Sequence, residues 1–261
     1  MDNKLLRLQD LVDNPTPRVP ICLCLDTSGS MLRVVRGETH ATGQEIVRDG
    51  ETWQVVTGGI TALDDLNQAI RQFYQELNAD ENAKYAAEIC IVTFGGDKPQ
   101  LIIDFANLER QGEVSILQAD GETPMGEAVN LALDCLEQRK KEYRAKGVDY
   151  FQPWLVLMTD GANNGAPAEF ERAVSRTTEL VNSQKLTLFP LAIASEDEQS
   201  EQAALDTLKR FSPKRTPLKV GSAKFSQFFQ WLSQSVARTS VSIPGEKVQL
   251  DLEGIKGWAE L

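Results

Sequence analysis

Apolar positions along the chain follow two alternating rhythms. The runs VPICLCLD, AAEICIVTF, PWLVLMTD and LTLFPLAIA are continuous, the pattern of strands buried on both faces of a parallel sheet. Between them apolar residues recur every three or four positions, as on helices covering such a sheet. Leu63, Leu66, Ile70, Phe73 and Leu77 predict a helix over about 61–78. Phe170, Ala173, Val174, Thr177, Leu180 and Val181 predict another over 167–182. A long helix is predicted from Pro124 to about Ala145, with proline at its first position and Thr123 as its cap. Two more are predicted near 201–211 and 225–236, the second carrying Phe225, Phe228, Phe229 and Leu232 as a stripe. AAEICIVTFGG and PQLIIDF, joined by Gly-Gly-Asp, read as an edge hairpin. The alternation predicts an α/β fold with a doubly wound, mostly parallel central sheet, flanking helices and one antiparallel edge strand.

One stretch departs from this rhythm. Between Met31 and Gly59 no helix is predicted, and GQEIVRDGETWQVV alternates around Asp49-Gly50, a hairpin signal. Residues 32–58 therefore read as an inserted β-hairpin. Trp53 is expected to pack it down, and His40 to be exposed or structural. The whole reads as one domain over 1–261, with a core at about 18–238 and an appended edge segment at 239–261.

Composition narrows the function. The 261 residues suffice for a sizeable core, and 41% hydrophobic with 25% charged content is ordinary for a globular chain. The formal charge of -11 argues against nucleic acid or anionic membranes as partners. The stretch Arg139-Lys140-Lys141 alternates with glutamate and reads as a solvated helix face. The first residues lack a continuous apolar run, so no secretory leader is expected, and no run approaches the ~20 apolar residues of a membrane span. Cys22, Cys24, Cys90 and Cys135 offer no second closely spaced pair, and His40 is the single histidine. The cysteines therefore read as small reduced core residues, which points to the cytoplasm.

Oxygen ligands are the chemistry that remains. In an open parallel sheet, ligands bind beyond the carboxyl ends of the strands. Three loops expected there carry Asp26, Ser28 and Ser30 in LDTSGSM, Thr123 in GETPMG, and Asp160 in LMTDG. Two carboxylates and three hydroxyls suit a hard cation such as Mg²⁺, with Mn²⁺ or Ca²⁺ as alternatives, and not zinc or copper. Asn163 and Asn164 read as turn residues, and Asp120 and Glu122 as solvated charges beside Thr123.

DTSGSM, the threonine of GETPMG and the aspartate of LMTDG together resemble the metal-ion-dependent adhesion site, or MIDAS, of von Willebrand factor A (VWA) domains. NPTPRVPICLCLDTSGSM, ADGETPMGEA, RKKEYRAKGVDYFQPWLVLMTDG and FSQFFQWLSQSVARTSVSIPG further resemble the bacterial tellurite-resistance TerY-like branch, with the hairpin as the main departure. The resemblance implies that Ser28 and Ser30 coordinate the ion, that Thr123 joins them when a ligand is bound, and that Asp26 and Asp160 act largely through waters. It implies a cytoplasmic protein-binding module that presents the ion to an Asp or Glu of a partner, in a stress-response, tellurite-resistance or phage-defence setting, with a kinase or phosphatase as the partner class.

Other classes fit less well. A haloacid-dehalogenase-type phosphatase needs a second aspartate two residues after the first, where this chain has Ser28. No Gly-Lys-Ser/Thr phosphate loop and no G-x-S-x-G elbow occurs. A non-enzymatic role is expected. A metal-dependent hydrolase and an adaptor subunit of an AAA+ ATPase stand as alternatives.

Overall fold

The computed structural model describes residues 3–48, 51–112, 114–194, 197–212, 215–221 and 224–245, without the side chains of 3–7, 48, 51 and 53. In chain order the elements are α1 (Asn3–Asp13), β1 (Val19–Asp26), β2 (Val34–Arg48), β3 (Glu51–Thr61), α2 (Ala62–Ala79), α3 (Ala83–Ala86), β4 (Ala87–Phe94), β5 (Gln100–Ile103), α4 (Leu108–Gln111), α5 (Met125–Lys146), β6 (Trp154–Thr159), α6 (Pro167–Asn182), β7 (Thr187–Ile193), α7 (Glu198–Phe211), β8 (Leu218–Val220) and α8 (Phe225–Ser240). A 3₁₀ turn, Gly29–Leu32, follows β1.

Among the described residues, six strands form the central sheet in the order β5-β4-β1-β6-β7-β8. All neighbours are parallel except the edge pair β4–β5. The expected α/β class holds. Every residue of β1 is buried, because both sheet faces are covered. Val19, Ile21, Leu23 and Leu25 face a layer built with α2 and α8, where Phe73, Phe225, Phe228 and Phe229 are fully buried. Cys22 and Cys24 face the opposite layer, formed by α5, α6 and α7. Burying each phenylalanine stabilises the fold by about 1.5–3 kcal/mol, so packing of these layers fixes the sheet.

Strand β1 has β4 on one side and β6 on the other. The chain winds outward in both directions from this point, which opens a crevice at the carboxyl ends of β1 and β6. Asp26 ends β1, and Asp160 follows β6 directly.

Several expectations need correction. The insertion is a separate two-stranded sheet of β2 and β3, running from Val34 to Thr61, so its second strand extends three residues past the expected end. Thr61 then caps α2 through a reciprocal bond with Asp64, which is why strand passes directly into helix. The Asp49-Gly50 turn, the Trp53 side chain and the segment 246–261 lie outside the described residues. Thr239 and Ser240 belong to α8 and not to a tail. Helix α1 was not expected, although NKLLRLQDLVD carries Leu5, Leu8, Leu11 and Val12 at helical spacing, and strand β8, with three residues, is too short to show as an apolar run. Helix α5 begins at Met125 with Pro124 as its cap, and no side chain caps it.

Arg139 is the sharpest correction. Its side chain is 1% exposed, where a solvated helix face was expected. It donates to Glu88 from Nε (2.6 Å) and Nη2 (2.8 Å), and to Glu142 from Nη1 (2.8 Å). Arg18 and Tyr143 also donate to Glu88, at 3.0 and 2.6 Å. Periodicity could not show this, because the partner is on β4, 51 residues away.

Candidate metal centre

The loop after β1 folds back on its own aspartate. Asp26 is fully buried and accepts from the Ser28 amide through Oδ1 at 2.8 Å. Its second oxygen accepts from the Thr159 hydroxyl at 2.6 Å, across the β1–β6 boundary. Both carboxylate oxygens are therefore engaged by this chain, and the loop is held with Ser28 extended.

The serines continue the chain of contacts. Ser28 Oγ and Ser30 Oγ lie 3.0 Å apart, and Ser30 Oγ donates to Asp160 Oδ1 at 2.7 Å. Asp26, Ser28, Ser30 and Asp160 thus form one polar cluster at the switch point. Asp160 is 4% exposed, and its Oδ2 is buried without a hydrogen-bond partner. Leaving a buried polar atom unpaired costs on the order of 1–3 kcal/mol, more for a charged group. An orphaned carboxylate oxygen beside two hydroxyls fits a hard cation.

The electrostatics agree with that fit. Burial, followed by the charge of Asp160, pushes the Asp26 carboxyl up to about 7. Burial also raises Asp160, opposed by the Ser30 hydrogen bond and by the charge of Arg33. Two carboxylates sharing a buried site disfavour their joint ionisation, and a cation between them relieves that cost.

Thr123 approaches on a loop tied to the first. Gly29 donates to the Gly121 carbonyl (3.1 Å), and Asp120 donates to the Thr27 carbonyl (2.9 Å). The Thr123 amide donates to Asn164 Oδ1 at 2.5 Å, while the Thr123 carbonyl accepts from Met125 and Asn164. Asn163 Oδ1 accepts from the Gly126 amide at 3.3 Å. The asparagines are turn residues, as expected, and they also bind the Asp160 loop to the start of α5. Asp120 and Glu122 are exposed. At Gly95 a Cβ would meet the Thr27 carbonyl oxygen at 2.3 Å, so only glycine lets this loop lie so close.

Thr159 and Arg33 were not singled out in the sequence. Arg33 donates to the Ala194 carbonyl at 3.1 Å and adds a positive charge near Asp160. The only signal for Thr159 was a hydroxyl at the last position of an otherwise apolar strand. His40 is exposed on β2. Among the described residues no helix is long and apolar enough to cross a membrane.

No protein-family model matches this sequence, and no curated protein matches it. Solved structures share its arrangement. The vWF domain of the type V pili tip protein Mfa5 from Porphyromonas gingivalis is 11% identical, with a TM-score of 0.58, over 89% of this chain and 99% of that one. The pilus adhesin SpaC from Lactobacillus rhamnosus GG is also 11% identical, with a TM-score of 0.56, over 87% of this chain and 32% of that one. At such identities the likeness concerns the fold alone. This chain has the fold of a von Willebrand factor domain.

Proposed function

We propose that this chain is a metal-dependent protein-binding module and not an enzyme. Ser28, Ser30 and Thr123 would hold a Mg²⁺ through their hydroxyls, with Asp26 and Asp160 acting largely through waters. When bound, the ion supplies an open coordination position for an outside carboxylate. Because the inner donors are neutral, the cation keeps its attraction for an Asp or Glu of a protein partner. The observation that carries this reading is the linked set Asp26–Ser28–Ser30–Asp160, ending on a buried, unpartnered carboxylate oxygen.

Two observations support the non-enzymatic reading. Asp26, the residue at the position of a phosphatase nucleophile, has no exposed surface, and hydrogen bonds engage both its oxygens. The single histidine is on the hairpin. The TerY-like resemblance of the motifs supports a cytoplasmic stress-response, tellurite-resistance or phage-defence role, with a kinase or phosphatase as partner. The hairpin of β2 and β3 leaves the turn that holds Ser30 and returns at the cap of α2, and it would shape the rim of the site and select the partner.

Capture of partners from a lysate of the source cell, with Mg²⁺ against EDTA, tests the reading. Capture should need Mg²⁺ and vanish in the Ser28→Ala/Ser30→Ala double variant while the fold persists. Equal capture in EDTA sinks it, as does Mg²⁺-dependent phosphoester hydrolysis that is lost in Asp26→Ala.

A further inference from the structure

Three of the four cysteines converge. Cys22 on β1 and Cys90 on β4 are register partners on adjacent parallel strands, and both enter the layer beneath α5. Cys135 on α5 meets Cys90, their sulfurs lying within 4.8 Å of each other. Asp104 follows β5 directly. Its carboxylate and the sulfurs of Cys90 and Cys135 lie within 4.8 Å of one another. Cys24, two residues from Cys22, stands apart with Val92 as its register partner. The convergence is therefore not a matter of local cysteine spacing.

Packing small thiols into a core needs no carboxylate. Here one reaches in from an exposed position, and Cys135 is only partly buried, so the group has a route to solvent. The Asp104 backbone is fixed by Gln111, which donates to its carbonyl at 3.0 Å, and Oδ1 accepts from the Phe105 amide at 2.8 Å. All four cysteines are free thiols.

We propose that Cys90, Cys135 and Asp104 form a three-ligand site for a soft divalent cation of the zinc class, with water from the exposed side as the fourth ligand. Zinc takes four tetrahedral ligands, with sulfur at about 2.3 Å and carboxylate oxygen at about 2.0–2.2 Å. Each coordinating thiol releases its proton to solvent as the metal–sulfur bond forms. The ligand class separates this centre from the oxygen cluster at the switch point, which suits a hard ion. One chain would then carry a hard-ion site at the carboxyl ends of the strands and a thiol site under α5.

The test uses the reduced full chain with Co²⁺ alone as a spectroscopic stand-in for zinc. One equivalent should give near-ultraviolet thiolate-to-cobalt charge-transfer absorption, and one equivalent of Zn²⁺ should abolish it. Cys135→Ser, at a partly exposed position, should remove the absorption while circular dichroism shows the fold kept. Asp104→Asn should weaken Co²⁺ affinity about tenfold or more. Ser28→Ala/Ser30→Ala should leave the absorption unchanged, which keeps the outcome separate from that of the oxygen site. Absence of the absorption at one equivalent of Co²⁺, or its persistence in Cys135→Ser, overturns the proposal.

Discussion

The hydroxyl of Ser30 donates to Asp160 Oδ1 at 2.7 Å, joining the loops after β1 and β6 across 130 residues of sequence. This bond leaves Asp160 Oδ2 as the buried oxygen without a partner. Ser30→Ala should therefore weaken Mg²⁺ binding about 10–100-fold, the usual cost of losing a group that ligates or orients a metal site. Isothermal titration of the single variant against the native chain measures it, and circular dichroism confirms that the fold is kept.

Thr159 holds Asp26 from the neighbouring strand. Thr159→Val keeps the shape and removes the donor, leaving a buried carboxylate oxygen unpaired at a cost of about 1–3 kcal/mol. Thr159→Ser restores the hydroxyl and should recover most of the stability and the Mg²⁺ affinity. Urea unfolding of the pair separates the lost hydrogen bond from a packing defect.

Removing divalent ions should lower the thermal midpoint. Asp26 and Asp160 are both buried and both raised, so a cation stabilises the folded state selectively. Ligand held at 100 times its Kd stabilises by about 2.7 kcal/mol. Scanning calorimetry with Mg²⁺ and with EDTA should show this gap in the native chain and a much smaller one in Ser28→Ala/Ser30→Ala.

Arg139 and Lys141 are close neighbours in one basic stretch with opposite roles. Arg139→Met leaves Glu88 with a reduced set of donors in the core and should cost about 3–5 kcal/mol, the penalty for breaking a buried ion pair. The Lys141 side chain is 61% exposed, so Lys141→Ala should stay within about 0.5 kcal/mol. Equal effects would contradict the buried network.

The hairpin is anchored at its base, where Arg36 pairs with the buried carboxylate of Asp65 on α2. Replacing residues 36–59 by a short glycine-rich turn, together with Asp65→Asn to spare an unpaired charge, should alter partner capture and leave Mg²⁺ affinity unchanged. Loss of Mg²⁺ binding would instead make the hairpin a support of the metal loop.

Local pattern made much of this molecule legible. The continuous apolar run from Val19 to Asp26 identified a central strand, and it is buried throughout. The spacing of Leu63, Leu66, Ile70, Phe73 and Leu77 identified α2, all five being buried. The positions of Asp26 at the end of β1 and of Asp160 directly after β6 also follow from the apolar runs of those two strands. These readings succeed because the periodicity of a strand or helix is written in consecutive residues.

Tertiary structure decided what depends on strand order and register. That β6 lies beside β1 puts the Thr159 hydroxyl on Asp26 and Ser30 on Asp160. That β4 lies on the other side pairs Cys22 with Cys90, and α5 across them adds Cys135. The same packing draws Arg139 down onto Glu88, where a charge run had suggested solvent. The sequence by itself determined which side chains the loops and strands carry. Only the assembled sheet decided which of them meet, because each meeting joins residues far apart in the chain.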